Sequence, residues 1–215
     1  MYNRLSVGNL EIYWLNGGEF MLDGGTMFGA VPKVLWEKKI PAVSANNILM
    51  LNAVLLIKSP DALILVDTGL GNKLSEKQKN IYEVTCDWNI PAELEKLGLD
   101  STAIDYVVLT HCDFDHAGGV EMFDPDGRQR LSFANARYLV QKDEWYDVLH
   151  PNSRASHSYW DINFKNLVNS ENLQIKEKYI ADYRDKNCWF TFYHDPDVLA
   201  CRFDKAGRII EKVTT

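Results

Sequence analysis

Four side chains that can bind a metal ion stand close together between residues 111 and 116: His111, Asp113, Asp115 and His116. Imidazole nitrogens and carboxylate oxygens are the donors that hold zinc or iron at enzyme sites and leave positions open for water. Without a cation to share, carboxylates this close would repel one another. The spacing therefore predicts a metal site rather than an ordinary solvated loop.

Two apolar runs must position this group. Tyr106–Leu109 precedes it directly and is typical of a buried strand, so the metal-binding residues follow the carboxyl end of that strand. A second run, Ala62–Val66, ends at Asp67 and two glycines. Strand ends of this kind meet at one edge of an open sheet, where ligands bind. Asp67 could cap the following turn or orient a metal ligand, and position alone leaves both open.

A third strand end carries another histidine. The aromatic-rich stretch 188–193 is typical of a strand, and His194 follows it as His111 follows its own strand. Position alone leaves open whether His194 binds metal or is an exposed residue at the strand end.

The rest of the chain alternates strand patterns with helix patterns, which predicts an α/β layered fold. We predict further strands at 9–15, 53–57 and 133–140, helices at 33–39, 91–98, 142–147 and 176–186, a glycine-rich loop at 23–29 and a mobile loop at 72–88. The 215 residues favour a single domain spanning 1–215.

Composition excludes several classes of function. A net charge of -7 argues against a nucleic-acid partner, because no basic stripe is available to contact phosphates. The longest apolar stretch, 48–57, is too short to cross a bilayer, and the first residues lack the apolar core of a signal peptide. We therefore predict a cytoplasmic protein with no membrane partner. The four cysteines have no C-x-x-C spacing, and the side chain of Cys112 is expected to point away from the metal.

At three places the sequence resembles the metallo-β-lactamase superfamily. Residues 110–119 are similar to its T-H-x-H-x-D-H-x-G-G signature, residues 65–69 to its strand ending in D-T-G, and residues 193–196 to the H-D-P around its last histidine. The resemblance covers about residues 8–175 and about 177 to the end. It implies an αββα sandwich whose second half is shortened here.

The resemblance also implies a set of metal ligands and a reaction. His111 and Asp113 would help to hold one metal, and Asp115, His116 and His194 the other. Metal-activated water would attack a carbonyl or phosphorus centre, with Asp115 as the catalytic residue that orients it or relays its proton. One or two divalent metal ions are expected, zinc first, with iron or manganese as alternatives.

Two departures from the family pattern bear on this expectation. Asp113 stands where the family has a histidine, and a carboxylate shifts the preference toward iron or manganese. The family's second-half histidine and metal-bridging aspartate are not visible. Asp115, His116 and His194 with water would then suffice for a site with one metal.

The leading hypothesis, implied by the superfamily resemblance, is a metal-dependent hydrolase of a small ester, lactone or related small-molecule substrate. Residues 23–33 resemble the corresponding loop of lactonase-like members, which bears on the substrate. One alternative is a catalytically impaired binding module that retains the fold, and another is a diiron oxidoreductase-like member. Strands lost with the shortened second half would leave a sheet edge to be covered, so a homodimer is a further hypothesis.

Overall fold

Two units make up the fold, Met1–Ile175 and Lys176–Thr215. The computed structural model describes residues 4–153, 155–176, 190–191 and 198–214. Across these residues, no helix has the length and apolar character needed to cross a membrane. The assignment of residues 1–215 to one domain stays a prediction.

Within the part of the chain that the structure describes, twelve strands form three separate sheets. Seven strands make a mixed sheet in the order β1-β2-β3-β4-β5-β8-β9, β6 pairs with β7, and β10-β11-β12 form the sheet of the second unit. The strands are β1 (Arg4–Val7), β2 (Leu10–Asp23), β3 (Asn47–Lys58), β4 (Leu63–Val66), β5 (Tyr106–Val108), β6 (Glu121–Phe123), β7 (Gln129–Leu131), β8 (Arg137–Gln141), β9 (Leu173–Lys176), β10 (Phe190–Thr191), β11 (Val198–Phe203) and β12 (Ile209–Thr214).

Short helices connect the strands of the first unit. They are α1 (Gly24–Phe28), α2 (Lys33–Trp36), α3 (Glu76–Ile81), α4 (Ile90–Glu95), α5 (Phe114–Ala117) and α6 (Lys142–Leu149), with single 3-10 turns at Ser101–Ala103, Ala155–His157, Asp161–Asn163 and Leu167–Asn169. The mixture of helices with a large mixed sheet confirms the predicted α/β class.

Three neighbouring parallel strands, β4, β5 and β8, form the centre of the large sheet. Each contributes a side chain with no exposed surface: Leu65, Val107 and Tyr138. Apolar side chains on both faces explain why these strands appear in the sequence as continuous apolar runs. Because β4 and β5 are parallel and in register from Ile64 opposite Tyr106, their carboxyl ends reach the same edge.

Several local predictions need correction. The glycine-rich stretch forms helix α1, because the Asp23 side chain accepts a hydrogen bond from the Thr26 N–H and caps it. The predicted mobile loop contains α3, which begins with a capping box formed by Ser75 and Gln78.

Several predicted elements have different bounds in the structure. Strands β2 and β3 are longer than the strands predicted at 9–15 and 53–57, and helices α2 and α4 end before the predicted 39 and 98. Strand β8 begins at Arg137 rather than 133, because a turn closed by the Ala136 N–H and the Phe133 carbonyl occupies the earlier residues. Lys176 ends strand β9 instead of beginning a helix, and the rest of the helix predicted at 176–186 lies outside the described residues.

In the second unit, β11 lies between β10 and β12 and pairs antiparallel with both. Phe190 is opposite Cys201, and Cys201 is fully buried. The strand predicted at 188–193 is therefore present at Phe190 and Thr191. His194 follows β10 but lies outside the described residues.

Candidate metal centre

The candidate ligands sit on the loop that leaves β5 and on the single helical turn α5. This loop lies so close to the loop after β4 that no side chain fits between them at the point of contact. A Cβ atom added to Gly71 would lie 1.9 Å from the Gly118 carbonyl oxygen, and the φ of Gly71 is +69°. Glycine at this contact is required for both reasons. The glycines after both strands thus bring the two strand ends together.

Asp67 is the hub of the site. Its carboxylate is 2% exposed and accepts hydrogen bonds from the Thr110 N–H at 2.8 Å and the Thr110 hydroxyl at 2.8 Å. The Nδ1 atom of His116 lies 2.9 Å from the second carboxylate oxygen. Asp67 also has a φ of +60°, which is uncommon for a residue other than glycine and is frequent at functional sites. Its role is therefore to orient the neighbouring side chains.

The hydrogen bonds of Asp67 determine which nitrogen of each histidine carries the proton. His116 donates from Nδ1 to Asp67, which leaves Nε2 as the nitrogen with a free lone pair. The Thr110 hydroxyl donates to Asp67 and accepts from Nδ1 of His111 at 3.0 Å. In its neutral form each imidazole therefore presents an Nε2 with a free lone pair, the form that binds a metal.

Each Nε2 faces a carboxylate. His111 Nε2 lies 3.5 Å from Asp113 Oδ2. His116 Nε2 lies 3.5 Å from Asp115 Oδ2, and the two imidazole centroids are 3.9 Å apart. Two donors that share one cation at about 2.1 Å with a tetrahedral angle lie roughly 3.4 Å apart, so the spacing within each pair fits a shared cation.

The described residues supply pairs of ligands rather than complete sites. Among them, no group of three or more His, Cys, Asp or Glu side chains is arranged to hold a metal ion. His194, which the resemblance assigns to the metal held by Asp115 and His116, lies outside the described residues.

The two pairs differ in burial. The side chains of His116 and Asp115 are 6% and 14% exposed, whereas those of His111 and Asp113 are 34% and 38% exposed. Burial raises the pKa of the Asp115 carboxyl, and the neighbouring His116 opposes that rise. Burial lowers the pKa of His116, but the hydrogen bond to Asp67 and the charge of Asp115 outweigh it, so the net direction is upward. The pair formed by His116 and Asp115 is thus the more buried of the two.

Cys112 lies between two candidate ligands but does not face them. Its side chain is fully buried in the hydrophobic core, in agreement with the prediction. Burial raises the pKa of this thiol, and the nearby Glu144 adds to the effect. Cys112 therefore serves as a core residue.

Lys73 supports the glycine turn that follows His116. Its half-buried ammonium donates to the Gly118 carbonyl at 2.5 Å and also to the Glu121 carbonyl. Burial lowers the pKa of Lys73 to about 8, although the charge of Glu121 opposes the change. Between pH 8 and the ordinary lysine pKa of about 10.5, the unfolded chain therefore binds more protons at this position than the folded protein does.

We subtract the free energy of unfolding of Lys73→Met from that of the parent. We expect this difference to increase between pH 8 and pH 10.5, by at most about 1.4 kcal/mol per pH unit. Urea denaturation of both proteins at pH 7.5 and pH 10 measures this difference. Lys77→Met, at an exposed position of α3, is the matched control and should track the parent. Parallel pH profiles for the parent and Lys73→Met would contradict the role of burial at Lys73.

Three further residues contact the site, and the motif alone does not assign a role to them. Thr110 is signalled only by its position directly before His111. Glu144 and Tyr159 also reach the motif loop, from α6 and from the segment after it. Nothing in the spacing of these two residues pointed to the site.

Comparison with known proteins agrees with the motif. The model of the metallo-β-lactamase superfamily matches residues 49–128, which include β4, β5 and the candidate ligands before His194. A solved structure described as a probable metal-dependent hydrolase from Staphylococcus aureus aligns with 98% of this chain and 99% of its own, with a TM-score of 0.76 and 28% identity. The S. aureus protein therefore shares the fold over nearly the whole length of both chains.

Two curated relatives match over shorter stretches. A probable metallo-hydrolase of Mycobacterium tuberculosis is 35% identical over 106 residues, which cover 46% of this chain and 34% of the relative. The N-acyl homoserine lactonase AiiB of Agrobacterium fabrum is 34% identical over 152 residues, which cover 64% of this chain and 53% of the relative. The alignments thus span about a third and about half of these relatives.

Proposed function

We propose that this chain, whose residues 49–128 match the model of the metallo-β-lactamase superfamily, is a metal-dependent hydrolase of a small ester, lactone or related substrate. The observation that carries the proposal is the hydrogen-bond network of Asp67, which directs the Nε2 lone pairs of the neutral His111 and His116 rings toward carboxylates. Networks that orient histidines in this way are typical of metal sites and have no use in a solvated loop.

The proposed ligands divide as the two pairs do. His111 and Asp113 would help to hold one metal, and Asp115 and His116 would hold the other together with His194. The 3.5 Å spacing within each described pair supports this division. When bound, the metal would supply Lewis-acid chemistry that makes water acidic and polarises the scissile carbonyl.

Asp115 is the proposed catalytic residue. Its carboxylate would orient the attacking water by accepting a hydrogen bond and would take up the proton released as the new C–O bond forms. It would then return that proton to the leaving oxygen as the scissile C–O bond breaks. Its burial supports this role, because burial raises the pKa of the carboxyl and so increases its affinity for a proton.

Zinc is the first candidate for the metal, because neutral imidazole and carboxylate ligands suit it. Asp113, a carboxylate in place of the family's histidine, favours the harder ions iron and manganese. The same residue is the observation behind the second candidate function, a diiron oxidoreductase-like protein. On this proposal the protein binds one metal ion at Asp115 and His116, and a second ion if His111 and Asp113 also bind one.

The substrate proposal draws on a different observation. The A. fabrum relative is named a lactonase, and a cyclic ester is a small substrate that water attack would open. A binding module that retains the fold without turnover is the competing account of the same similarity. Only a measurement of hydrolysis separates the two.

Metal-loaded protein should hydrolyse at least one of three probes: an N-acyl homoserine lactone, a p-nitrophenyl ester or a β-lactam. We expect turnover of the lactone or the ester that is lost after chelation and dialysis and regained on adding zinc, manganese or ferrous ion. Free acid released from each probe is measured by pH-stat titration. Metal-loaded protein that turns over none of the probes would favour the binding module.

Other properties stay predictions. They are a cytoplasmic location, a small-molecule substrate, a homodimer, and the lack of nucleic-acid and membrane partners. The net charge of -7 supports the prediction about nucleic acid. Exposed apolar side chains at Val34, Leu35 and Val43 would be available for self-association.

A further inference from the structure

The side chain of Glu144 reaches the motif loop from outside it. Glu144 lies in the first turn of α6, and its Oε1 atom accepts a hydrogen bond from the Cys112 N–H at 2.5 Å. The same oxygen accepts a hydrogen bond from the Tyr159 hydroxyl at 2.8 Å. One carboxylate therefore joins the motif loop, helix α6 and the segment that follows α6.

Tyr159 is suited to remain a hydrogen-bond donor. Burial raises the pKa of its hydroxyl, and the hydrogen bond and charge of Glu144 raise it further. The hydroxyl consequently keeps its proton over the whole range of pH in which proteins work. Its hydrogen bond to Glu144 is thus not interrupted by titration of the tyrosine.

The next residue, Trp160, contacts the motif on its other side. Its ring stacks on that of Phe114 with centroids 4.6 Å apart and an angle of 16° between the planes. Tyr82 also stacks on Phe114, at 4.7 Å. The residues before and after Asp113 are therefore both held by side chains from outside the motif, one through its main chain and one through its ring.

The main-chain carbonyl of Asp113 accepts hydrogen bonds from the N–H groups of His116 and Ala117, so its main chain is fixed on the side of α5, whereas its side chain is not. Asp113 is the N-cap residue of α5, but its side chain makes no capping hydrogen bond. Its carboxylate is 38% exposed and faces His111. The direction of this carboxylate accordingly depends on how the main chain on either side of it is fixed.

We propose that Glu144, supported by Tyr159, is a positioning residue that fixes the main chain at Cys112 so that Asp113 and His111 face a common cation, and that its negative charge strengthens cation binding. The inference rests on the proposed metal-dependent function. It adds two residues outside the matched region 49–128 to the metal centre. Loss of such supporting hydrogen bonds typically weakens metal binding by about 10- to 100-fold.

Cobalt binding to the dialysed 215-residue protein tests the proposal, because Co²⁺ has a visible spectrum that reports the geometry of its ligands. Affinity is measured by competition with a chelating dye for the parent, Glu144→Ala, Glu144→Gln and Tyr159→Phe. We expect Glu144→Ala to weaken Co²⁺ binding by about 10- to 100-fold and to change its spectrum. Glu144→Gln keeps a hydrogen-bond acceptor but loses the charge, so an intermediate loss is expected. Tyr159→Phe should lower affinity by a smaller factor, about 3- to 10-fold.

Tyr146→Phe is the matched control, since Tyr146 lies on α6 with 61% of its surface exposed and outside the proposed network. It should bind Co²⁺ as the parent does. If Glu144→Ala does not fold, Glu144→Gln and Tyr159→Phe provide the test. Variants that fold and bind Co²⁺ with the parent's affinity and spectrum would overturn the positioning role alone. A parent protein that binds no Co²⁺ would overturn the proposed function and this inference with it.

Discussion

We expect His116→Ala to lower kcat/KM for the hydrolysed ester or lactone by about 1,000-fold or more. The substitution removes the imidazole whose Nε2 faces Asp115 and whose Nδ1 bonds to Asp67. It also leaves the Asp67 carboxylate, which is 2% exposed, without one of its three hydrogen-bond donors. The variant therefore loses a proposed metal ligand and also a hydrogen bond that orients the site. Steady-state rates with saturating metal measure the effect.

His157→Ala is the matched control for this prediction. His157 is exposed on a 3-10 turn, and its recorded hydrogen bond uses only its main-chain carbonyl, which accepts from the Trp160 indole. The variant should retain the parent's rate. Circular dichroism of both variants establishes that they are folded. A folded His116→Ala protein with the parent's kcat/KM would refute the assignment of His116.

The second large effect is expected at Asp67. Asp67→Asn should weaken metal binding by about 10- to 100-fold and lower kcat accordingly. The amide can still accept from Thr110 through its oxygen, but its NH2 group would then face Nδ1 of His116. His116 would have to move its proton to Nε2 to accept that hydrogen bond, and a protonated Nε2 cannot bind a metal. Replacing one carboxylate oxygen of Asp67 by an NH2 group is thus expected to weaken metal binding by changing the tautomer of His116.

Asparagine is the informative replacement because it tolerates positive φ, and Asp67 has a φ of +60°. Alanine would add backbone strain to the loss of the carboxylate. Asp61→Asn provides the control, since Asp61 is exposed in the turn before β4, at the opposite end of the strand from Asp67. Competition with a chelating dye gives the affinities. Equal affinities for the parent and Asp67→Asn would show that the hydrogen bond does not set the tautomer.

The parts of the fold that sequence predicts well are those decided by burial. The runs at 62–66 and 106–109 are apolar on both faces because β4 and β5 are central parallel strands, and no helix pattern competes with them. Two parallel neighbours must end at the same edge. The sequence alone therefore predicts that Asp67 lies at the same sheet edge as His111 and His116.

Other elements depend on contacts that no local pattern shows. Helix α1 forms in a glycine-rich stretch because Asp23 caps it and Trp36 packs against Gly24, and neither effect changes the local helix propensity. Strand β8 starts at Arg137 because Tyr138 and its neighbours close a turn before it, with the Tyr138 hydroxyl near the Phe133 N–H. The cap and the packing of Trp36 decided the first boundary, and the turn stabilised by the Tyr138 hydroxyl decided the second.

The candidate site also has a part that the sequence predicts and a part that only the fold reveals. The ligand types and their spacing between residues 111 and 116 were visible in the sequence, because a dense local motif needs no tertiary information. Glu144 and Tyr159 lie 32 and 47 positions beyond Cys112 and appear as an ordinary helix residue and an ordinary loop residue. Their part in the site depends on where α6 packs, which only the fold reveals.

The central claim is that the group at 111–116 binds a divalent metal through His116. Elemental mass spectrometry of freshly purified parent and His116→Ala protein tests it most directly, with His157→Ala as the reference for a neutral substitution. We expect one or two equivalents of zinc, iron or manganese in the parent and in His157→Ala, and a loss of at least one equivalent in His116→Ala. Metal-free parent protein that stays folded, or undiminished metal in His116→Ala, would contradict the claim and favour a binding module that retains the fold.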